Sequence, residues 1–163
     1  MTVEIHPKAR VSRHADIEDS TRGTRVVLGA GSVIDSFVKV KPAGGSGDVI
    51  IGERVTINSG CVIYTGNGLK IGNDVSVAAN CVFAPVNHSF SDRNRLIVEQ
   101  RFMTSKGGIV IEDDVWIGAG SVLLDGAILR QGCVIGAMSL VRGEIPAYGI
   151  FAGNPLRKIG TRT

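Results

Sequence analysis

From Ile111 to Val141 an aliphatic residue returns at every sixth position: Ile111, Ile117, Leu123, Leu129, Ile135 and Val141, with Ala147 next in the count. The same interval runs through Ile71, Val77 and Phe83, through Ile51, Ile57 and Ile63, and through Leu28, Ile34 and Val40. The fifth residue of each hexad is small or apolar, as at Val55, Cys61, Val75, Cys81, Val115, Ser121, Ala127, Cys133 and Ser139. A six-residue period supplies one short strand and one corner per hexad, so three hexads close a triangular coil of about eighteen residues. This pattern predicts an all-β solenoid, a parallel β-helix. The apolar position points inward and stacks on its equivalents about 4.8 Å away in the next coil. No coil buries its apolar face alone, so stability has to come from contacts between neighbours.

Departures from the period mark insertions. Ile51 to Ile71 advances twenty positions, which predicts a two-residue bulge near Asn67–Gly68. Leu28 to Ile51 advances twenty-three, and the surplus is the run from Pro42 to Gly47. Ile71 to Ile111 advances forty, so twenty-two extra residues leave the coil after His88. Ile5, Val11 and Ile17 suggest an irregular first coil. The tail after Ala152 leaves the repeat and reads as a cap turning at Asn154–Pro155. The expected organisation is one domain over residues 1–163, with a loop insertion at about 89–108 and a C-terminal cap at about 153–163.

Composition narrows the function classes. Aromatics make up only 5% of the chain, so the core must be built from Val, Ile, Leu and Ala. A net charge of +3 is too small to suggest nucleic acid, and Arg10, Arg13, Arg22 and Arg25 read as a solvated face. The start, MTVEIHPKAR, lacks the apolar core of a signal peptide, and no run approaches membrane-spanning length. Three widely spaced cysteines form neither a metal pattern nor a disulfide framework, and Cys61 and Cys81, equivalent on successive coils, read as packing residues. A cytoplasmic enzyme or scaffold is expected, with no membrane insertion.

The regularity breaks at PVNHSFSDRNRL, residues 85–96. Taken with the hexads, the NHSF segment and its long loop, Gly107 to Gly118 (GGIVIEDDVWIG), VIGA at 134–137 and FAGNP at 151–155 resemble the left-handed β-helix acyltransferases. The galactoside, maltose and xenobiotic O-acetyltransferases, with relatives that acetylate cell-surface polysaccharides, form the most similar branch. Left-handedness comes from this resemblance.

The resemblance implies a homotrimer with active sites between subunits, acetyl-CoA as co-substrate and no metal. His88 then matches the general base that takes a proton from an acceptor hydroxyl as its oxygen attacks the thioester carbonyl. The chemistry agrees: a neutral imidazole, with an unperturbed pKa of about 6.5, suits proton abstraction near neutrality. Such a base contributes roughly 10² to 10⁴ in rate. Ala119 and Ala137 match positions whose backbone groups bind the pantetheine arm, and Trp116 can wall that arm. Arg142 and Arg157, with Lys158 as fallback, are the cationic candidates for the CoA phosphates. Asn58, Asn87, Asp92 and Arg93 are candidate contacts for the acceptor, with Arg95 beside them. Glu99 is a candidate to orient His88.

The leading expectation is acetyl transfer to a sugar hydroxyl in polysaccharide or lipopolysaccharide synthesis. N-acetylation of a nucleotide-linked amino sugar, a xenobiotic acceptor and a non-catalytic scaffold are the alternatives. A zinc carbonic anhydrase needs three histidines around one metal, and His6 and His14 lie far from His88 in the count.

Overall fold

The computed structural model describes residues 2–163. Three parallel sheets form the faces of a prism. The first holds Thr2–Ile5, Arg25–Leu28, Val49–Ile51, Leu69–Ile71, Ile109–Ile111, Ile128–Leu129 and Glu144–Ile145. The second holds Arg10–Val11, Val33–Ile34, Thr56–Ile57, Ser76–Val77, Trp116–Ile117, Val134–Ile135 and Gly149–Ala152. The third holds Asp16–Ile17, Lys39–Lys41, Val62–Tyr64, Val82–Ala84, Val122–Leu124 and Leu140–Val141. One strand from each face makes a coil, and six complete coils stack through in-register parallel pairs.

The hexad positions do what their spacing requires. Ile57, Ile63, Val77, Phe83, Ile117, Leu123, Leu129 and Ile135 are fully enclosed along the prism axis. Each such side chain contributes about 1.5–3 kcal/mol on burial. The fifth positions Cys61, Cys81, Cys133, Val115 and Ala127 fill the space between them. All three thiols are free, and burial pushes that of Cys133 up to about 12.

Two expectations change. The first coil is regular: Ile5, Val11 and Ile17 pair with Leu28, Ile34 and Val40 in the same register. Its surplus residues lie in the connection between Ile17 and Arg25. At the other end the period does not reach Ala147, because Leu129 pairs with Ile145. Ile145 is buried and Ala147 exposed. Gly143, at φ 73°, turns the corner tightly enough to shorten this hexad by two residues.

Every longer connection leaves the prism along one edge, between the third and first sheets. The run from Pro42 to Gly47, the bulge at Thr65–Gly68 and the long loop after Ala84 stack there on one another. A Cβ on Gly47 would lie 2.1 Å from the amide nitrogen of Gly68, so only glycine permits that backbone contact. The C-terminal cap is a single antiparallel strand, Arg157–Thr161, that folds back on Gly149–Ala152 and closes the second sheet. The turn between them contains the cis peptide Asn154–Pro155.

Candidate functional site

His88 follows the fourth coil, on the edge from which the insertions leave. Its backbone is fixed by the base of the loop: Ser89 N–H donates to Arg101 O at 3.0 Å, and Met103 N–H to Asn87 O at 2.8 Å. His88 N–H donates to Asn87 Oδ1 at 3.0 Å, so the side chain of Asn87 braces the histidine. The exposed imidazole rests against Phe102, with ring centroids 4.9 Å apart. The loop beyond is almost wholly exposed and turns through a short helix, Ile97–Gln100. It is pinned from within by Gln100, whose Oε1 accepts from Asp92 N–H and whose Nε2 donates to Asp92 O and Arg95 O.

Several candidates gather on this edge and others do not. Asp92 and Arg93 lie in the loop, where Asp92 Oδ1 accepts from Asn94 N–H. Arg142 follows the sixth coil on the same edge and lines, with Asn87, Met103, Lys106 and Asp125, a small cavity of about 110 Å³ at the foot of the loop. The Glu99 carboxylate makes no hydrogen bond to His88, and Arg95 is engaged with Glu99 O. His6 and His14 belong to the first coil, so one chain does not bring the three histidines together.

The remaining candidates lie along another edge, between the second and third sheets. Asn58, Ala78, Gly118 and Gly136 occupy equivalent corners, and Ala119 and Ala137 come next in the fifth and sixth coils. Both alanines are exposed, and neither N–H has a backbone partner among the described residues. At these two positions the wall offers N–H groups without a backbone partner and no side chain beyond a methyl. Trp116 begins its strand and is half exposed, facing outward beside that wall. Arg157 pairs with Ala152 in the cap, whose Cβ packs by Gly136, so the cationic pair Arg157 and Lys158 lies at the C-terminal end of the wall. Asn58 donates Nδ2–H to Val77 O at 2.7 Å, which serves the corner and leaves its own carbonyl free.

The structure adds residues to this edge that the period had passed over. The corners that follow Ile34, Ile57, Val77, Ile117 and Ile135 hold Phe37, Gly60, Asn80, Gly120 and Met138, all with φ between 57° and 74°. Glycine and asparagine tolerate that backbone, whereas a bulky side chain there is a conformational outlier. Phe37 is nonetheless 70% exposed and Met138 75% exposed. The sequence signal was available: two large residues stand in a column otherwise reserved for Gly and Asn.

Comparison with known proteins agrees with this architecture. Residues 108–143 match the bacterial transferase hexapeptide family of six repeats. The chain is 29% identical over 142 residues to the Escherichia coli protein WbbJ, named as a lipopolysaccharide-biosynthesis O-acetyltransferase; the match covers 84% of this chain and 69% of that one. It is 30% identical over 147 residues to a Saccharomyces cerevisiae protein named as an acetyltransferase, covering 89% of this chain and 72% of that one. A Mycobacterium tuberculosis protein named as an acetyltransferase is 32% identical over 116 residues, 71% of this chain, but the match spans only 38% of that longer protein. Among solved structures, AntD, an N-acyltransferase from Bacillus cereus in complex with dTDP-4-amino-4,6-dideoxyglucose and coenzyme A, superposes with a TM-score of 0.81 at 26% identity, over 99% of this chain and 84% of that one. By its repeat, its coil architecture and these relatives, the chain belongs to the hexapeptide-repeat acetyltransferases, left-handed parallel β-helices.

Proposed function

We propose that this protein transfers the acetyl group of acetyl-CoA to a sugar hydroxyl, in a homotrimer whose sites form between subunits. The carrying observation is a mismatch within one chain: His88 and the Ala119–Ala137 wall lie on different edges of the prism. A three-fold axis parallel to the solenoid cancels that mismatch without changing height. His88 of the partner subunit then faces the fourth-coil corner at Asn80, and the partner's Arg142 faces the sixth-coil corner at Ala137. The exposed apolar side chains of the loop, Phe90, Leu96, Ile97 and Val98, support a neighbour that covers them.

On this reading one edge carries the reaction from end to end. Arg157 and Lys158 hold the phosphates of CoA, assisted by the partner's Arg142. The free N–H groups of Ala119 and Ala137 donate to the amides of the pantetheine arm, which the alanine methyls allow to lie close. The imidazole takes the proton from the acceptor hydroxyl as its oxygen bonds to the thioester carbonyl carbon. The carbon–sulfur bond breaks, and the proton passes to the departing thiolate. Asn87 and Phe102 hold the base in place, while Asn58, Asp92 and Arg93 are the proposed acceptor contacts. Similarity to WbbJ supports a cell-surface polysaccharide as the eventual product.

A second reading is acyl transfer to the amine of a nucleotide-linked sugar, favoured by the similarity to AntD over 99% of this chain. A panel of hydroxyl and amine acceptors, followed by thiol release, separates the two; turnover confined to amines would overturn the O-acetyl reading. The shared site is tested by mixing two inactive variants, His88→Ala and Ala137→Trp. In random trimers about a quarter of the sites pair an intact histidine with an intact wall. Recovery of about a quarter of wild-type activity supports the reading, and no recovery overturns it.

A further inference from the structure

Behind the wall of Ala119 and Ala137, the prism interior holds a column of proton donors. The Cys61 thiol donates to Ala78 O at 3.2 Å, and the Cys81 thiol to Gly118 O at 3.3 Å. Gly136 O accepts twice, from Ser121 Oγ–H at 3.2 Å and from Ser139 Oγ–H at 2.6 Å. These four donors are equivalent on successive coils and all are buried. In the second coil the same position holds Val38, which has no proton to give. Cys61, Cys81 and Ser121 each reach into the next coil, so the column serves the fourth, fifth and sixth coils.

A planar trans peptide points its N–H away from its carbonyl. With Ala78 O, Gly118 O and Gly136 O bonded inside, the N–H groups of Ala79, Ala119 and Ala137 turn outward, and none has a backbone partner among the described residues. The edge between the first and second sheets supplies the contrast. There the buried Ser32 donates to Gly52 O at 2.8 Å, but the N–H on the other side of that peptide, at Glu53, is met by Asn73 Oδ1 at 2.8 Å. An inward bond is therefore a general way to turn a corner, whereas an unmet outward donor is particular to the alanine wall. The hydroxyls on Gly136 O are themselves engaged: Ser139 Oγ accepts from Gly153 N–H at 2.9 Å, and Ser121 Oγ from Ser139 N–H at 3.4 Å. Linked hydrogen bonds polarise one another, so a chain that begins at the cap strengthens the Ala137 amide as a donor.

We infer that Ser121 and Ser139 are positioning residues for the cofactor: from inside the core they fix the Gly136–Ala137 peptide plane, and with it the N–H offered to the pantetheine arm. Cys81 does the same for Ala119. The inference rests on the proposed transfer from acetyl-CoA. Ser139 has a second duty, because its bond from Gly153 N–H ties the cap that carries Arg157 and Lys158 to the same carbonyl. Neither hydroxyl touches the cofactor, and both act through the peptide between them and it.

The test is calorimetric titration with CoA and with adenosine 3′,5′-bisphosphate, the part of CoA that lacks the pantetheine arm. Ser121→Ala should weaken CoA about two- to tenfold, the net worth of one hydrogen bond, and leave the bisphosphate unchanged. Ser139→Ala should weaken both ligands, since the cap loses its tie as well. Ser121→Cys should keep wild-type affinity, because Cys81 makes the same bond one coil below. Ser32→Ala is the matched control: it loses an equivalent buried bond, so its melting temperature should fall while CoA affinity holds. CoA affinity indifferent to both Ser121→Ala and Ser139→Ala overturns the inference alone. So does a Ser32→Ala variant that weakens CoA as much as Ser121→Ala, which would mean general loosening of the coil. Wild-type protein that binds no CoA overturns the acetyl-transfer reading, and this inference with it.

Discussion

His88 and Phe102 face each other across an antiparallel bridge at the root of the long loop, their rings tilted by 46°. The pairing closes the loop at its base, so the histidine belongs to the rigid end of a segment that is otherwise exposed. An imidazole held this way keeps one orientation without a carboxylate behind it.

Replacing Phe102 by Ala should therefore act on catalysis more than on binding. We expect turnover to fall about ten- to a hundredfold, the scale of a displacement of about 1 Å. The KM for acetyl-CoA should remain unchanged, because the proposed pantetheine donors, Ala119 and Ala137, belong to the fifth and sixth coils, beyond the level of Phe102 and His88. Steady-state kinetics with acetyl-CoA varied at saturating acceptor checks the division, and a rise in KM with kcat intact would remove Phe102 from the positioning role.

His88→Ala should leave the fold alone, since the inward stack of Ile71, Val77 and Phe83 lies behind it. Stability should change by less than about 0.5 kcal/mol, and CoA should still bind. The rate should fall at least about a hundredfold. In the parent enzyme activity should decline towards acid pH, because imidazolium cannot accept a proton. A folded variant with near-normal turnover would shift the base to Asp92 or Glu99.

Phe83→Ala is the converse case. Among the described residues Phe83 is the only phenylalanine fully enclosed in the prism, and it sits in the coil that precedes the long loop. Its removal should cost about 3–5 kcal/mol, read as a lower denaturation midpoint in urea. A loss below about 1 kcal/mol would mean that the stack collapses to fill the gap.

Acid should loosen the outer ladder before the core. Arg130 donates to Glu112 at 2.8 Å and to Glu144 at 2.8 Å, and Gln131 N–H also donates to Glu112. The bond from Arg130, then that from Gln131, holds the Glu112 carboxyl below the usual 4.5. A depressed carboxyl stabilises the fold above its unfolded pKa, and this contribution disappears as pH falls through the folded value. Glu112→Gln should therefore melt lower than wild type at pH 7, with the gap closing as pH falls below the usual 4.5 and through the lowered folded value. Parallel melting curves at pH 7 and pH 3 test this, and a gap independent of pH would assign the effect to shape rather than charge.

Much of this protein is determined by one short-range rule. A period of six decides which residues face inward, and its interruptions mark where chain must leave the prism. Leu28, Ile51, Ile71, Ile111 and Leu129 could thus be assigned to one buried column before any coordinates existed. The rule fails where the coil ends: Ala147 keeps the count, but the tight turn at Gly143 brings Ile145 into the column instead. What only the tertiary structure decided is which residues share an edge. Asn87 reads in the sequence as an acceptor contact, whereas the structure shows its side chain bracing the His88 backbone. Arg10 and Arg13 read as solvated charge and both are exposed, but only the coil brings Arg13 against His14, which stacks on Phe37. Spacing along the chain specifies direction and depth for each residue, whereas proximity across an edge depends on how many residues each preceding coil has spent at its corners.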